Sequence, residues 1–479
     1  MDTKSPVSAA NPASRVSRSS WKPRSSPWPG ETVVTSPKQH LDEIDVLDRD
    51  VTRVAAIAAT AASIEYYDFF IYGLAAALVF PAVFFPEMSS VTGVLLSFGT
   101  FGIGFLARPL GGVVFGHFGD LIGRKKTLVI ALIAMGIAST AIGVLPTYAS
   151  VGVLAPVALT VLRFVQGIAI GGQMGGVVLL AVEAAPPRRR GFYGSFSSLG
   201  APGGVLLANV IFLLLTACVS TEALIEWAWR LPFLMSLILV GLALYVHVKL
   251  EDTPSFRRLQ ELRQSAPVVV TKTRSPVWTV LRTYPAEVAL TAGSYIGINL
   301  TYYLFITFVI SYGTSTLGLS QSTMLAAVLI GSTGQVLALP LAGAVSDRIG
   351  RSRVYLCGAF GLAVFAFPFW MLVQTGQFWL ITVAMVVGLG VLHSLMYGVQ
   401  PAFFAETFST EVRYSGVSLG IQSGAVIGGA FAPMTATALL SSFGWPSVAL
   451  YMMAGCVLTG LSVWVLAHRN SVRSQEVIG

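Results

Sequence analysis

Gly116–Lys126 reads GHFGDLIGRKK, and Gly343–Arg353 reads GAVSDRIGRSR. Both contain G-x-x-x-D-x-x-G-R, and each lies between the second and third apolar stretches of one half of the chain. Internal self-similarity of this kind marks duplicated transporter halves. Working outward from these loops, twelve apolar stretches run at 54–80, 91–117, 127–146, 151–180, 193–218, 230–249, 286–311, 322–345, 354–373, 377–402, 413–440 and 445–467. A helix needs about 20 largely apolar residues to span a bilayer. Helices are the expected form, because a backbone in lipid must satisfy its own hydrogen bonds. The pattern predicts an all-α integral membrane protein with twelve transmembrane helices in two pseudo-symmetric six-helix bundles.

Composition agrees. The chain of 479 residues is 54% hydrophobic and 11% charged, with mean hydropathy +0.74, whereas soluble domains carry about 25% charged residues. Forty-eight glycines suit helices whose backbones approach closely. The net charge of +8 does not point to nucleic acid, because its distribution is one-sided. With both termini placed in the cytoplasm, every Lys and Arg except Arg108, Arg163 and Arg230 falls on cytoplasmic segments. That asymmetry is the positive-inside pattern and predicts a multi-pass protein of the cell (plasma or inner) membrane.

Residues 1–50 are rich in Ser, Pro and Arg, read as a disordered cytoplasmic tail without a signal peptide. The expected organisation continues with an N-terminal bundle at 51–249, a cytoplasmic connection at 250–285, a C-terminal bundle at 286–467 and a cytoplasmic tail at 468–479. Cys218, Cys357 and Cys456 lack metal-ligand spacing and are assigned to packing.

Several motifs carry a resemblance. The paired loops look like the signature of the major facilitator superfamily. ARPLGGVVFGHFGDLIGRKK (107–126), RFVQGIAIGGQMGG (163–176), EAAPPRRRG (183–191), LEDTPSF (250–256) and EYYDFFIYG (65–73) together resemble its metabolite:proton symporter family, whose members include shikimate, alpha-ketoglutarate and proline/betaine type transporters. The resemblance covers about residues 50–467 and implies the major facilitator fold. One position departs from it: Gln173 stands where that family usually has Glu.

The resemblance implies that the first loop, with Gly116, Asp120, Gly123, Arg124 and Lys125, latches the halves together on the cytoplasmic face. Asp347, Arg348 and Arg351 are expected to form its weaker second copy. Glu183 and Glu406, at the ends of helices four and ten, either pair with these basic loops or stand as solvated helix ends.

Ionisable groups inside a span cost about 2.5–3.5 kcal/mol each on insertion scales and mark a pathway or relay. Glu65, Asp68, Arg108 and Arg163 are such groups. Glu65 and Asp68 share a helix face with Tyr72 and are the expected proton-coupling pair, with Arg108 and Arg163 as their available cations. Candidate substrate-binding residues are Arg108, Arg163, Tyr72, Gln166, Gln173, Asn299, Tyr302, Tyr303, Tyr397 and Gln400. Tyr295, Met396, Gln422 and His393 extend these stripes, His393 being read as a core histidine or a proton relay. Two close acids can exchange a proton as a coupled unit. Protonation would free an Arg to bind an anion bidentately, and the halves would rock about this midplane site.

The expected function is import of a small organic acid or metabolite by proton symport, with small molecule and protons as partners, no cofactor beyond the proton gradient, and a monomer as the working unit. An alternative is symport of a zwitterionic osmolyte, its quaternary ammonium caged by Tyr302 and Tyr303. Drug/proton antiport fits a cavity with two arginines poorly, and a non-transport sensor lacks a signalling domain. Enzyme motifs, including a nucleophile elbow or phosphate-cradling loop, are absent from the sequence.

Overall fold

In the computed structural model, residues 59–478 are described except 61, 65, 123, 174–184, 252–275, 410 and 411; side chains are described for fewer, those of 116–128 and 172–173 being among the exceptions. The expected tail at 1–50, most of the connection at 250–285, and Glu65, Gly123 and Glu183 therefore lie outside the described residues.

The described secondary structure is helical throughout. In chain order the rods are α1 (helical over 66–78), α2 (Ser90–Ile122), α3 (Arg124–Gly143), α4 (Leu154–Gln173), α5 (Arg190–Cys218), α6 (Arg230–Glu251), α7 (Pro285–Thr316), α8 (Gln321–Ile349), α9 (Arg351–Gln374), α10 (Phe378–Thr407), α11 (Ser415–Phe443) and α12 (Trp445–Ile478). Among the described residues, nine helices are long and apolar enough to cross a bilayer, and a tenth arises if Thr221–Ala228 and Arg230–Leu242, bent by 48°, count as one span. Val129–Gly143 is a shorter apolar rod, and α1 is described in pieces.

Glycines set how closely the rods approach, and they do so twice. A Cβ on Gly171 of α4 would fall 2.0 Å from the Arg108 carbonyl oxygen of α2, and one on Gly167 would fall 2.1 Å from that of Gly104. The matching pair in the second half, α8 and α10, meets at Gly398, whose Cβ would lie 2.8 Å from the Leu339 carbonyl oxygen. Gly200 and Gly204 of α5 meet Ala62 and Tyr66 of the first helix; Gly420 and Gly424 of α11 meet Thr291 and Ala292 of α7. The same scheme of small residues thus brings together corresponding helices of each half, where backbone contact replaces the hydrophobic drive that lipid removes.

Within the first half α2 packs on α4, and α3 on α4 and α6; within the second α7 packs on α11 and α12, and α9 on α12. The halves meet through α5 with α8 and α2 with α11. The outer surface carries exposed Leu214, Ile238, Leu337, Val364, Trp379 and Phe443, a load of apolar surface that a bilayer accepts and water does not. Cys456 is buried, while Cys218 and Cys357 are exposed on this surface and so do not pack in the interior.

The second loop explains its own signature. Gly350 has φ 101, a left-handed conformation open to glycine, and it separates α8 from α9 while its N–H bonds the Ser346 carbonyl at 3.0 Å. Pro285–Thr316 has 94% of its spanning window buried, so α7 runs through the centre of the molecule. Wide π-type turns at Leu304–Phe308 in α7 and Val386–His393 in α10 follow or include candidate site residues, as such turns often do at functional positions.

Candidate functional site

Tyr295, Asn299 and Tyr302 of α7 follow one another at one-turn spacing, which places them on one face. They border a small pocket of about 30 Å³, also lined by Tyr66, Phe70, Arg108, Ala201, Ile298, Tyr303, His393 and Tyr397. That is room for a water or two, so in this arrangement the aromatic wall is collapsed onto a site that must open to admit a small molecule. The wall is aromatic: Phe70 meets Tyr302 edge-on at 5.8 Å, and Tyr302 stacks on His393 at 5.2 Å. The Tyr302 hydroxyl is buried without a hydrogen-bond partner.

Arg108 is the cation of this pocket and is 3% exposed. Its guanidinium lies 4.1 Å from the Phe105 centroid and 4.4 Å from that of Phe69, facing Tyr303 and Tyr295. Its Nε is buried and makes no hydrogen bond. Cation–π contacts of this kind stabilise a desolvated guanidinium but leave that Nε donor unsatisfied.

Arg163 stands behind the pocket wall, fully buried. Its guanidinium lies 4.1 Å from the Tyr72 centroid, 4.4 Å from Phe69 and 5.0 Å from Phe101. One nitrogen, Nη1, donates to Gln166 Oε1; Nε and Nη2 have no partner. Gln166 Nε2 donates to Ser139 Oγ at 2.7 Å and to the Asp68 backbone carbonyl at 3.3 Å. The Tyr72 hydroxyl donates to Thr100 Oγ1 at 2.7 Å.

Asp68 is fully buried, flanked by Ser139 and Ser236. Neither carboxyl oxygen accepts a hydrogen bond, and among the described residues Asp68 forms no ion pair. The expected salt bridge to Arg108 or Arg163 is therefore absent in this arrangement. Both cations are taken up by aromatic faces, and Arg163 reaches Asp68 only through Gln166. Of the expected binding residues, Arg108, Asn299, Tyr302, Tyr303 and Tyr397 come together at the pocket. Arg163, Gln166 and Tyr72 form the adjoining cluster instead. Gln400 is buried on α10 but lies outside the pocket lining. The side chain of Gln173 is not among those described.

His393 is held by two bonds. Its Nε2 meets the Ile298 carbonyl at 3.1 Å and its Nδ1 meets Gln335 Nε2 at 2.8 Å. A carbonyl can only accept and an amide nitrogen can only donate, so the ring is the neutral tautomer with its proton on Nε2. That arrangement suits a core histidine rather than a relay.

The face carrying the G-x-x-x-D-x-x-G-R loops is closed by Asp347. Its carboxylate accepts from the Gly191 N–H at 2.8 Å and the Phe192 N–H at 2.9 Å at the start of α5. Arg351 reaches Asp347 at 3.4 Å and also pairs with Glu406. Arg348 is exposed and forms no ion pair among the described residues. The loop expected to be the weaker copy thus makes a contact between halves; the side chains of Asp120, Arg124 and Lys125 are not among those described. On the opposite side of the pocket, a Cβ on Gly102 of α2 would come 2.5 Å from the Ala430 carbonyl of α11.

Sequence reasoning missed Tyr66 and Phe70, which share a face of α1 at one-turn spacing and could have been found by that periodicity. It also missed Phe69, Ser139 and Gln335, which carry no distinguishing signal in an apolar run.

Comparisons with known proteins agree with this architecture. Residues 54–277 match the family described as Sugar (and other) transporter, and residues 327–477 match the Major Facilitator Superfamily. The shikimate transporter of Escherichia coli (strain K12) is 38% identical over 418 residues, covering 86% of this chain and 94% of that protein. The proline/betaine transporter of the same strain is 30% identical over 441 residues, covering 90% and 87%. A crystal structure of a D-xylose-proton symporter superposes with a TM-score of 0.66 at 18% identity, over 86% of this chain and 96% of that one; at that identity the likeness speaks for the fold alone. On these matches the chain belongs to the major facilitator superfamily, in its metabolite:proton symporter family, and is a transporter rather than an enzyme.

Proposed function

We propose that the protein imports a small organic acid together with a proton by alternating access. The observation that carries this reading is the state of Arg108: a buried guanidinium on the pocket wall, with an N–H donor unmatched. A second buried guanidinium, Arg163, shares the Phe69 ring with it. Buried charge with no opposite charge beside it and donors left unmatched is costly, and an anionic group entering the pocket offsets that cost. A guanidinium also matches the fork of a carboxylate. Asp68 is the proposed proton site, with Glu65 as its neighbour. In this reading the bundles at 51–249 and 286–467 rock about the pocket, both termini face the cytoplasm, and a monomer in the inner membrane suffices.

A second reading draws on the aromatic wall. Tyr66, Phe70, Tyr302 and Tyr397 could cage a quaternary ammonium while Arg108 takes the carboxylate of the same zwitterion, and a relative at 30% identity is named a proline/betaine transporter. One experiment separates the two. Purified protein is screened by thermal shift against organic acids, aromatic acids and betaines at two pH values, and each stabilising compound is then tested for uptake into proteoliposomes under an imposed pH gradient. Stabilisation by acids and accumulation driven by the inward proton gradient supports the first reading; stabilisation by betaines alone supports the second. Accumulation indifferent to the proton gradient would end both as symport.

A further inference from the structure

Asp68 and Arg163 are joined by one side chain that can face only one way at a time. Arg163 has donors alone, so the Gln166 carbonyl oxygen must be turned toward it. The Asp68 backbone carbonyl accepts alone, so the Gln166 amide nitrogen must be turned toward it and toward Ser139. Ser139 Oγ takes its hydrogen bond from Gln166 and lies beside the Asp68 carboxyl group, whose oxygens accept no bond in this arrangement. From Arg163 through Gln166 to Ser139 the row therefore has a single polarity, and the Asp68 carboxyl group stands at its end.

We propose that Gln166 is a positioning residue that couples the proton on Asp68 to the freedom of Arg163. This rests on the reading of Asp68 as the proton site. With Asp68 ionised, Ser139 donates to it, Gln166 donates to Ser139, and the amide oxygen holds Arg163 on the Tyr72 and Phe69 rings. When a proton enters on Asp68, the carboxylic acid becomes the donor to Ser139, whose hydrogen must then find an acceptor. The Gln166 amide turns over to supply one. Its NH2 group then opposes the donor-only guanidinium, and Arg163 leaves that contact for an anion. No covalent bond other than the one to the entering proton is made. Proton and anion are thus favoured together, which is what symport requires.

The groups around Asp68 are few. Ser139 of α3 and Ser236 of α6 flank its carboxyl, and Tyr67 neighbours it on its own helix. Arg163 of α4 reaches it through Gln166, and Arg108 of α2 lies beyond Phe69. Glu65, three residues earlier, is outside the described residues. Ser236 donates to the Pro232 carbonyl at 3.5 Å, whereas Ser139 takes its bond from Gln166, so Ser139 is the serine through which the row runs.

The test needs no substrate. The full chain, in proteoliposomes with isotope-labelled glutamine, is titrated with acid and followed by difference infrared spectroscopy. A carboxylic-acid band that disappears in Asp68→Asn identifies protonation of Asp68. The proposal expects a glutamine amide band to change over the same titration and to vanish in Gln166→Leu. In Ser139→Ala, which leaves Arg163 and Gln166 in place, the Asp68 band should persist while the glutamine change is lost. An Asp68 band that titrates with no glutamine change overturns the relay and leaves Asp68 as the proton site. Absence of any band sensitive to Asp68→Asn overturns the proton-site reading and the relay with it. A merely structural Gln166 would alter stability without producing a glutamine band that follows Asp68.

Discussion

Arg108 and Arg163 share one aromatic ring: each guanidinium carbon lies 4.4 Å from the Phe69 centroid, so the two cations are no more than about 8.8 Å apart. Like charges this close in a buried region oppose one another, and the aromatic faces offset that opposition only in part. Of the two, Arg108 borders the pocket. Arg108→Lys keeps the charge and loses the planar fork. A hydrogen bond to a charged group is worth about 1.5–3 kcal/mol, so affinity for an acid that stabilises the parent protein should fall about 10- to 100-fold, read by isothermal titration. Unchanged affinity would remove Arg108 from the binding surface.

The Tyr302 hydroxyl is buried and unpaired, and such a group costs about 1–3 kcal/mol. Tyr302→Phe should therefore leave the ligand-free protein as stable as the parent or more so. If the hydroxyl serves the substrate, the same variant should show a smaller ligand-induced rise in Tm. A ligand-free Tm well below that of the parent would mean that the hydroxyl is satisfied in the protein without substrate.

How far the sequence alone reached depends on how local each feature is. The paired loops, the spans and the α7 stripe are carried by composition and spacing, and each recurs in the fold. Whether Arg108 or Arg163 meets Asp68 was not legible, because that depends on side-chain rotation and on competing partners many residues away. Phe69 takes up both guanidiniums and Gln166 stands between Arg163 and Asp68, yet a phenylalanine and a glutamine in an apolar helix carry no such message. That Asp347 meets the start of α5 was not legible either, since the contact depends on where α5 begins in space. The span count is lower by length than by hydropathy because α1 is described in pieces, α3 is short among the described residues and α6 is bent at its start.

Two glycine substitutions should have opposite outcomes. At Gly171 an added Cβ would lie 2.0 Å from the Arg108 carbonyl oxygen, a clash with backbone that cannot be relieved by a rotamer. Gly171→Ala should lose at least the 1–3 kcal/mol or so typical of overpacking and should also displace Arg108, so that residual folded protein binds ligand weakly. At Gly241 of α6 nothing lies within 4 Å of the added atom. Gly241→Ala should be neutral or gain up to about 1 kcal/mol of helix stability. Thermal unfolding in detergent, with and without ligand, reads both. Equal effects would mean that helix propensity, not the α2–α4 approach, governs these positions.

Asp347 offers the clearest handle on alternating access. Its two carboxylate oxygens accept from Gly191 and Phe192 at 2.8 and 2.9 Å, joining the end of α8 to the start of α5. Gly191 is close enough to Gly343 that a Cβ there would lie 2.6 Å from the Gly343 carbonyl oxygen, so the contact forms only when the halves are closed on this face. Asp347→Ala leaves two N–H groups without their acceptors, at about 1–3 kcal/mol, and biases the protein toward states in which water reaches them. Asp347→Asn retains one acceptor oxygen and should fall between. Arg188 and Arg348 are both exposed near this face, so spin labels there, in a background lacking the three cysteines, report its opening by pulsed electron resonance. The distance distribution should lengthen in the order Asp, Asn, Ala. One distribution shared by all three would mean that the contact follows closure of the halves without contributing to it.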